Sequence, residues 1–402
     1  MSLLEHPTAQ ELLADAELSA DDVAGCRRRL HAFLQRYLPR FYRVEHHELA
    51  EVVLQGQLSD LQRKTAEPIA HQAGRPRKPV QHFVGAGRWD DEAVMAELRR
   101  HVAAEEADPD GVLVLDPSGF PKSGSDSCGV ARQWCGRLGK VENCQVGVFL
   151  SYVTAQGYAP LDRQLYLPRE WAADRRRRRA AHVPEGVAFQ ETWRIGLELL
   201  DRSGGDVPFG WVAGDDEFGR SSAFRAALRG RGLRYVLDVP CNTQVRDLGE
   251  VPAPGRRVPP WRRVDEWARA QPPSRWRRLV LAGGSKGPRA VRALEAWVQA
   301  RDEDGCVGPR ERLVVLRGAG SEPRVWYALS NARREVPLAR VAEAQGRRHG
   351  VEEVLQAGKG EVGLGQYEVR SWVGWHHHMT LSLLALWFAI LEQRRLGKKR
   401  RR

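Results

Sequence analysis

Residues 112–116 of this 402-residue chain read Val-Leu-Val-Leu-Asp. Four consecutive apolar residues mark a strand buried on both faces. A buried strand has little reason to finish on a carboxylate unless the acid serves something, because unpaired acids are almost never buried. Pro117, Ser118 and Gly119 follow and punctuate the run. A second run, 210–215 (GWVAGD), also ends on an acid, Asp215. Whatever this chain folds into must explain two strand-end carboxylates.

The order of elements brings them together. Apolar runs at 112–116, 146–154 and 164–168 read as strands close enough for hairpin-like connections. A helix at 188–202, the strand 210–215, a helix at 221–231 and a strand at 234–240 follow. A helix between the last two strands is what a parallel crossover requires. The order β-β-β-α-β-α-β is that of the ribonuclease H-like fold, in which the first and fourth strands lie side by side and parallel. Asp116 and Asp215 would then stand about 5 Å apart, the spacing of neighbouring strands. The class is therefore α/β. Residues 1–105 read as an all-helical, DNA-binding N-terminal region, with helices at 27–43, 46–62 and 91–104 and basic connections at 63–64 and 75–78. The core runs from 106 to 240. Residues 241–340, rich in Pro and Arg, read as a β-rich insertion with a basic surface and strands near 278–284, 312–318 and 324–331. Helical texture resumes over 341–396, and 397–402 is a basic tail.

Composition narrows the function. An apolar fraction of 42% supports a packed core. Lys plus Arg exceed Asp plus Glu by 63 − 51 = 12, which favours a polyanionic partner, most simply nucleic acid. The six cysteines form no C-x-x-C pair, so a zinc ribbon or thioredoxin-like motif is not expected, and a reducing, cytoplasmic setting fits best. The apolar run 381–391 is far short of the ~20 residues a membrane span needs and reads as a buried helix; no membrane partner is expected. Adjacent histidines 376–378 point in different directions and cannot all ligate one ion. The arginine run 175–179 reads as a loop touching DNA backbone or solvent.

Two strand-end carboxylates suggest Mg²⁺, which prefers a few hard oxygen ligands and keeps room for water and phosphate. A pair of such ions can clamp the attacking and leaving oxygens of a phosphodiester. The third acid should come from the helix after the insertion, where 348–361 (RHGVEEVLQAGKGE) offers Glu352, Glu353 and Glu361. Gly350 and Gly358 in that segment each cost a helix about 1 kcal/mol against Ala.

Three long blocks, 116–153, 215–240 and 348–384, together with 60–94, resemble the insertion-sequence DDE transposases that carry a Y-x2-R-x3-E-x6-K signature, within that group insertion sequence family 701. The resemblance implies the following. Arg348, Glu352 and Lys359 satisfy R-x3-E-x6-K. Asp116, Asp215 and Glu352 are then the catalytic acids and the ligands of two Mg²⁺ ions, with Mn²⁺ as substitute. Arg348 and Lys359 contact phosphate near the cleaved end, and Lys122, Arg132, Arg137 and Lys140 of the first block contact DNA. Asp216 faces elsewhere. The partners are double-stranded DNA (terminal inverted repeats and target) and a second copy of the chain in the synaptic complex, in a bacterial cytoplasm at the nucleoid. Gln345 stands where the signature has tyrosine; Tyr367 and Arg370 form a decoy, because Gly374 occupies the acid's place. Two other readings stay open: a related Mg²⁺-dependent nuclease or resolvase, and a catalytically silent DNA-binding protein.

Overall fold

The computed structural model describes residues 20–136, 138–252, 257–281, 289–302, 305–319 and 323–397. Within these, a mixed α/β architecture is built on one sheet of twelve strands. The strands are β1 (Val112–Pro121), β2 (Ala131–Cys135), β3 (Lys140–Val153), β4 (Tyr158–Leu165), β5 (Trp211–Gly214), β6 (Tyr235–Asp238), β7 (Gln244–Asp247), β8 (Arg262–Arg263), β9 (Arg277–Leu281), β10 (Arg289–Arg301), β11 (Val307–Arg317) and β12 (Val325–Ser330). Their order across the sheet is β2-β3-β1-β5-β6-β12-β11-β10-β7-β8, with β4 also on β3 and β9 also on β10.

The centre of the sheet positions the acids. β1 pairs with β5 in parallel, and β5 with β6 in parallel. A helix, α6 (Thr192–Ser203), precedes β5, and two more, α7 (Asp216–Gly219) and α8 (Ser222–Gly230), join β5 to β6. The stop expected at Pro117 does not occur: β1 continues to Pro121, paired with β3 alone. The last β1 residue paired with β5 is Leu115. Beyond it the β5 side of β1 has no strand to bond, so a proline that lacks an N–H is tolerated. The β2–β3 hairpin was not anticipated, because alternate residues of β2 are exposed and the run is short.

Helices at the N-terminal end are α1 (Cys26–Gln35), α2 (Val44–Leu58), α3 (Ala66–Gln72), α4 (Arg77–Gly85) and α5 (Asp91–Glu106). The single helix expected over 27–43 breaks before Pro39, and the basic connections at 63–64 and 75–78 flank or enter two further helices. The polar 175–179 run is also helical, within Arg175–Ala180, because Asp174 caps it by accepting from the Arg177 N–H at 2.9 Å. Between β6 and the C-terminal helices a short helix, α9 (Val264–Arg269), accompanies β7–β12. These strands continue the same sheet, since β12 pairs with β6, and pack a small apolar core of their own around Trp267.

The chain closes with α10 (Leu338–Arg347), α11 (His349–Glu361) and α12 (Trp372–Arg395). Apart from its polar last turns, α12 is almost wholly buried and packs on β4 and on the N-terminal helices. No helix among the described residues is long and apolar enough to cross a membrane. The three histidines of α12 each face a backbone carbonyl: His376 that of Trp372 at 2.9 Å, His377 that of Trp89 at 3.2 Å, His378 that of Leu364 at 3.2 Å. Gly350 lets α11 approach β3, since a Cβ there would lie 2.9 Å from Val153.

Candidate active site

Leu115 of β1 lies opposite Gly214 of β5, and Gly214 opposite Leu237 of β6. The next residue on each chain is an acid: Asp116, Asp215 and Asp238. Parallel strands point their carboxyl ends the same way, so the three acids follow in-register positions on neighbouring strands at one edge of the sheet, where adjacent backbones lie about 4.8 Å apart. Asp215 also caps α7, accepting from the Glu217 N–H at 3.1 Å. The Asp216 carboxylate turns away to Arg220, 3.3 Å distant.

The chain then delivers cations to this edge. Arg348, almost buried, lies between α10 and α11, 2.8 Å from Asp238 and 3.4 Å from Glu352 one turn further on. Lys359, two turns beyond Glu352, donates to the Ser118 hydroxyl at 2.6 Å. Ser118 is two residues after Asp116 and so shares its face of β1.

The electrostatics report proximity. Burial raises the Asp116 pKa well above the usual carboxylate range, and Asp215 raises it further; Arg348 pulls it down, Glu352 pushes it up, and Lys359 pulls it down. Asp215 is pushed up to about 7, first by burial, then by Asp216, against the opposing charge of Arg348. Arg348 is raised: burial works against its charge, and Asp238, Glu352, Asp215 and Asp116 together outweigh burial. Two carboxylates that resist ionising side by side invite a cation.

Glu352 lies on the first turn of α11 with its side chain 54% exposed. Among the described residues, no three His, Cys, Asp or Glu side chains form a group that could hold a metal ion as they stand. A three-sided cage is not a requirement for Mg²⁺, which binds through one or two carboxylates and completes its octahedron with water and substrate phosphate. The donor set here is all hard oxygen, and it fits that demand.

The other basic residues expected at DNA are distributed differently. Lys122 is turned inward, donating to the Tyr367 carbonyl at 3.1 Å and lying over the Tyr367 ring; burial lowers its pKa to about 8. Arg132 is exposed on β2, and Lys140, also exposed, pairs with Glu142 at 3.1 Å. Arg137 and the tail at 398–402 lie outside the described residues. Tyr367 is buried against Gln145 at 2.9 Å, and Arg370 meets Asp126 at 3.3 Å; neither approaches the acids in these bonds. The signature position Gln345 is buried and donates to Asp238 at 2.9 Å. Asp238 and Ser118 were not singled out from sequence. The available signal for Asp238 was that 235–238 (YVLD) is a third apolar run ending on an acid.

Residues 36–302 match the family model described as DDE superfamily endonuclease. Over 220 residues the chain is 29% identical to a protein of Microchaete diplosiphon named "Probable transposase for insertion sequence element IS701", an alignment that takes in 54% of this chain and 55% of that one. The chain thus spans about half the length of this curated relative. A solved piggyBac transposase synaptic complex with hairpin DNA aligns with 89% of this chain and 68% of its own at 11% identity and a TM-score of 0.40, too slight a likeness to argue from. The family match covers well over half of the residues, and the chain belongs to the DDE superfamily endonucleases.

Proposed function

We propose that the chain is a DNA transposase, cleaving phosphodiester bonds at the inverted-repeat ends of an insertion sequence and joining those ends to target DNA. The observation that carries this reading is the register of β1 and β5, which sets Asp116 beside Asp215 at two parallel strand ends in a chain of the DDE family. The parallel β1–β5–β6 centre, with β3 and β4 antiparallel beyond β1, supports a ribonuclease H-like core. In this reading Asp116, Asp215 and Glu352 hold two Mg²⁺ ions, or Mn²⁺ in their place, which supply charge stabilisation to the attacking and leaving oxygens.

The remaining roles belong to the chain's own cations. Lys359, fixed on Ser118, and Arg348 bring positive charge to the strand-end edge, where phosphate oxygens gather negative charge as the bond breaks. Arg132 and Lys140, on the hairpin that extends β3 beyond Asp116, grip the DNA backbone alongside. In the β7–β12 region guanidinium groups are stacked on indoles: Arg246 and Arg301 at 4.4 and 4.5 Å from Trp261, Arg310 at 4.7 Å from Trp297. Stacking holds these cations, Arg310 exposed and Arg246 and Arg301 half-buried, in fixed places, which suits contacts with phosphates. Joining two ends requires holding both, so a homodimer forms on DNA, at the bacterial nucleoid.

The test uses the full chain and a supercoiled plasmid carrying the DNA that flanks its gene on both sides. The expected result is cutting at the two ends and joined products, both dependent on Mg²⁺. Asp116→Asn, Asp215→Asn and Glu352→Gln should each lose more than the roughly 10–100-fold that outer-shell partners of a metal cost. Cutting without joining would instead indicate a nuclease, and a band shift without cutting a silent DNA-binding protein. Strand exchange that persisted with all three acids changed to alanine would end the proposal.

A further inference from the structure

Asp238 stands in the row of strand-end acids yet belongs to neither the motif nor the expected ligand set. Its carboxylate oxygens meet two side chains: Oδ1 accepts from Gln345 Nε2 at 2.9 Å, and Oδ2 is ion-paired with Arg348 at 2.8 Å from Nε, without the alignment of a hydrogen bond. The two side chains of this ion pair are 13% and 9% exposed, so the pair is shielded from solvent and from salt. The same guanidinium reaches forward to Glu352 Oε1 at 3.4 Å. Arg348 and Glu352 lie four residues apart, one above the other on a helical face. A glutamate that is half exposed on the first turn of a helix samples several rotamers unless something holds it. Arg348 is placed to restrain it, and Asp238 is placed to restrain Arg348.

Resting on the transposase reading, we propose that Asp238 is a positioning residue: from the end of β6 it fixes the Arg348 guanidinium and thereby aims the Glu352 carboxylate at the Asp116–Asp215 pair. Gln345 completes the device. Its amide occupies the other carboxylate oxygen, so Asp238 cannot turn away from Arg348 without leaving that donor unpaired. The backbone beneath is equally constrained, because Gly219 of α7 lies so close to the Asp238 carbonyl that a Cβ there would approach it to 1.8 Å. Asp238 thus acts through Arg348, and Gln345, in the place of the signature tyrosine, braces Asp238.

Asp238→Asn keeps the shape and the acceptor for Gln345 but removes the charge that holds Arg348. On the plasmid described above, at saturating Mg²⁺, its cleavage rate should fall about 10–100-fold, with affinity for the end DNA in EDTA unchanged within about twofold, as expected for a loss confined to the transition state. Asp238→Glu, which restores the charge, should recover part of the rate. Adding Asp238→Asn to Arg348→Ala should cost nothing further, since residues acting through one contact are non-additive. Wild-type cleavage by Asp238→Asn, no gain from Asp238→Glu, or losses that multiply in the double variant would each overturn the inference. Thermal melting in EDTA provides a second cycle that needs neither metal nor cleavage: the double variant should melt no lower than the less stable single, and independent decrements would contradict the coupling. Should the wild type cut nothing, the transposase reading fails while the melting cycle still decides whether Asp238 holds Arg348.

Discussion

At the scale of single residues, Gly219 shows how tightly the acid edge is built. It ends the short helix that Asp215 caps and lies against the Asp238 carbonyl. Gly219→Ala has no room to relax without moving one acid or the other, because the obstacle is backbone. The expected cost is about 3 kcal/mol, at the upper end for overpacking, read as a shift in urea midpoint with unchanged slope. A shift below roughly 0.5 kcal/mol, the range of ordinary surface changes, would mean that α7 and β6 are further apart than described. Asp116 and Asp215 were legible in the sequence because each ends an apolar run. Asp238 ends one too, but its task is set by partners more than a hundred residues away, Gln345 and Arg348, which no local pattern announces. Gly350 and Gly358 looked unfavourable for a helix; against Val153, and against Leu364 at 3.0 Å, they are what allows α11 to pack.

At the scale of elements, α11 carries Glu352 and Lys359 and is held at both ends. Arg348 holds the start. At the far end the nearly buried Lys64 donates to the Glu361 carbonyl at 2.5 Å, and to those of Gln57 and Ser59, at 2.8 and 2.6 Å, at the end of α2. One ammonium therefore caps two helices and ties the N-terminal helices to the helix bearing the third acid. Burial lowers its pKa, but the carbonyls satisfy all three of its donors. Lys64→Met keeps most of the stem and strands the carbonyls, at a cost of about 2–4 kcal/mol in chemical denaturation; an unchanged midpoint would show that the cap contributes nothing. The strand order around β1, β5 and β6 was legible from apolar runs and an intervening helix. The α3 and α4 helices were not, since prolines and basic residues disguise them, and the extent of β10 and β11 was not, since their registers are set by pairing partners elsewhere in the sheet.

At the scale of the whole molecule, buried histidines give stability a dependence on pH. His101, His376, His377 and His378 are each lowered to about 4, first by burial. In the unfolded chain such rings take up protons near pH 6.5. Between pH 6.5 and about 4 the unfolded state therefore binds protons that the folded state refuses, and stability falls as pH falls. The loss should be roughly 1 kcal/mol for each histidine at pH 5.5, visible as a steep drop in melting temperature between pH 7 and 5. A melting temperature flat over that range would mean that these rings protonate within the fold. Glu97, held at about 2 against burial by Arg100, Arg36 and Arg40, contributes stability above its unfolded value near 4.3 that is lost only as pH falls toward 2.

The proposed reaction needs Asp116, Asp215 and Glu352 to act as one metal centre. The most direct measurement is anomalous diffraction from crystals of the full chain bound to its end DNA and soaked in Mn²⁺. Strong anomalous peaks are expected at the shared ends of β1 and β5, within about 2.0–2.3 Å of oxygens of Asp116, Asp215 and Glu352. Manganese bound elsewhere on the protein, with these three carboxylates unligated while the DNA end is in place, would contradict it.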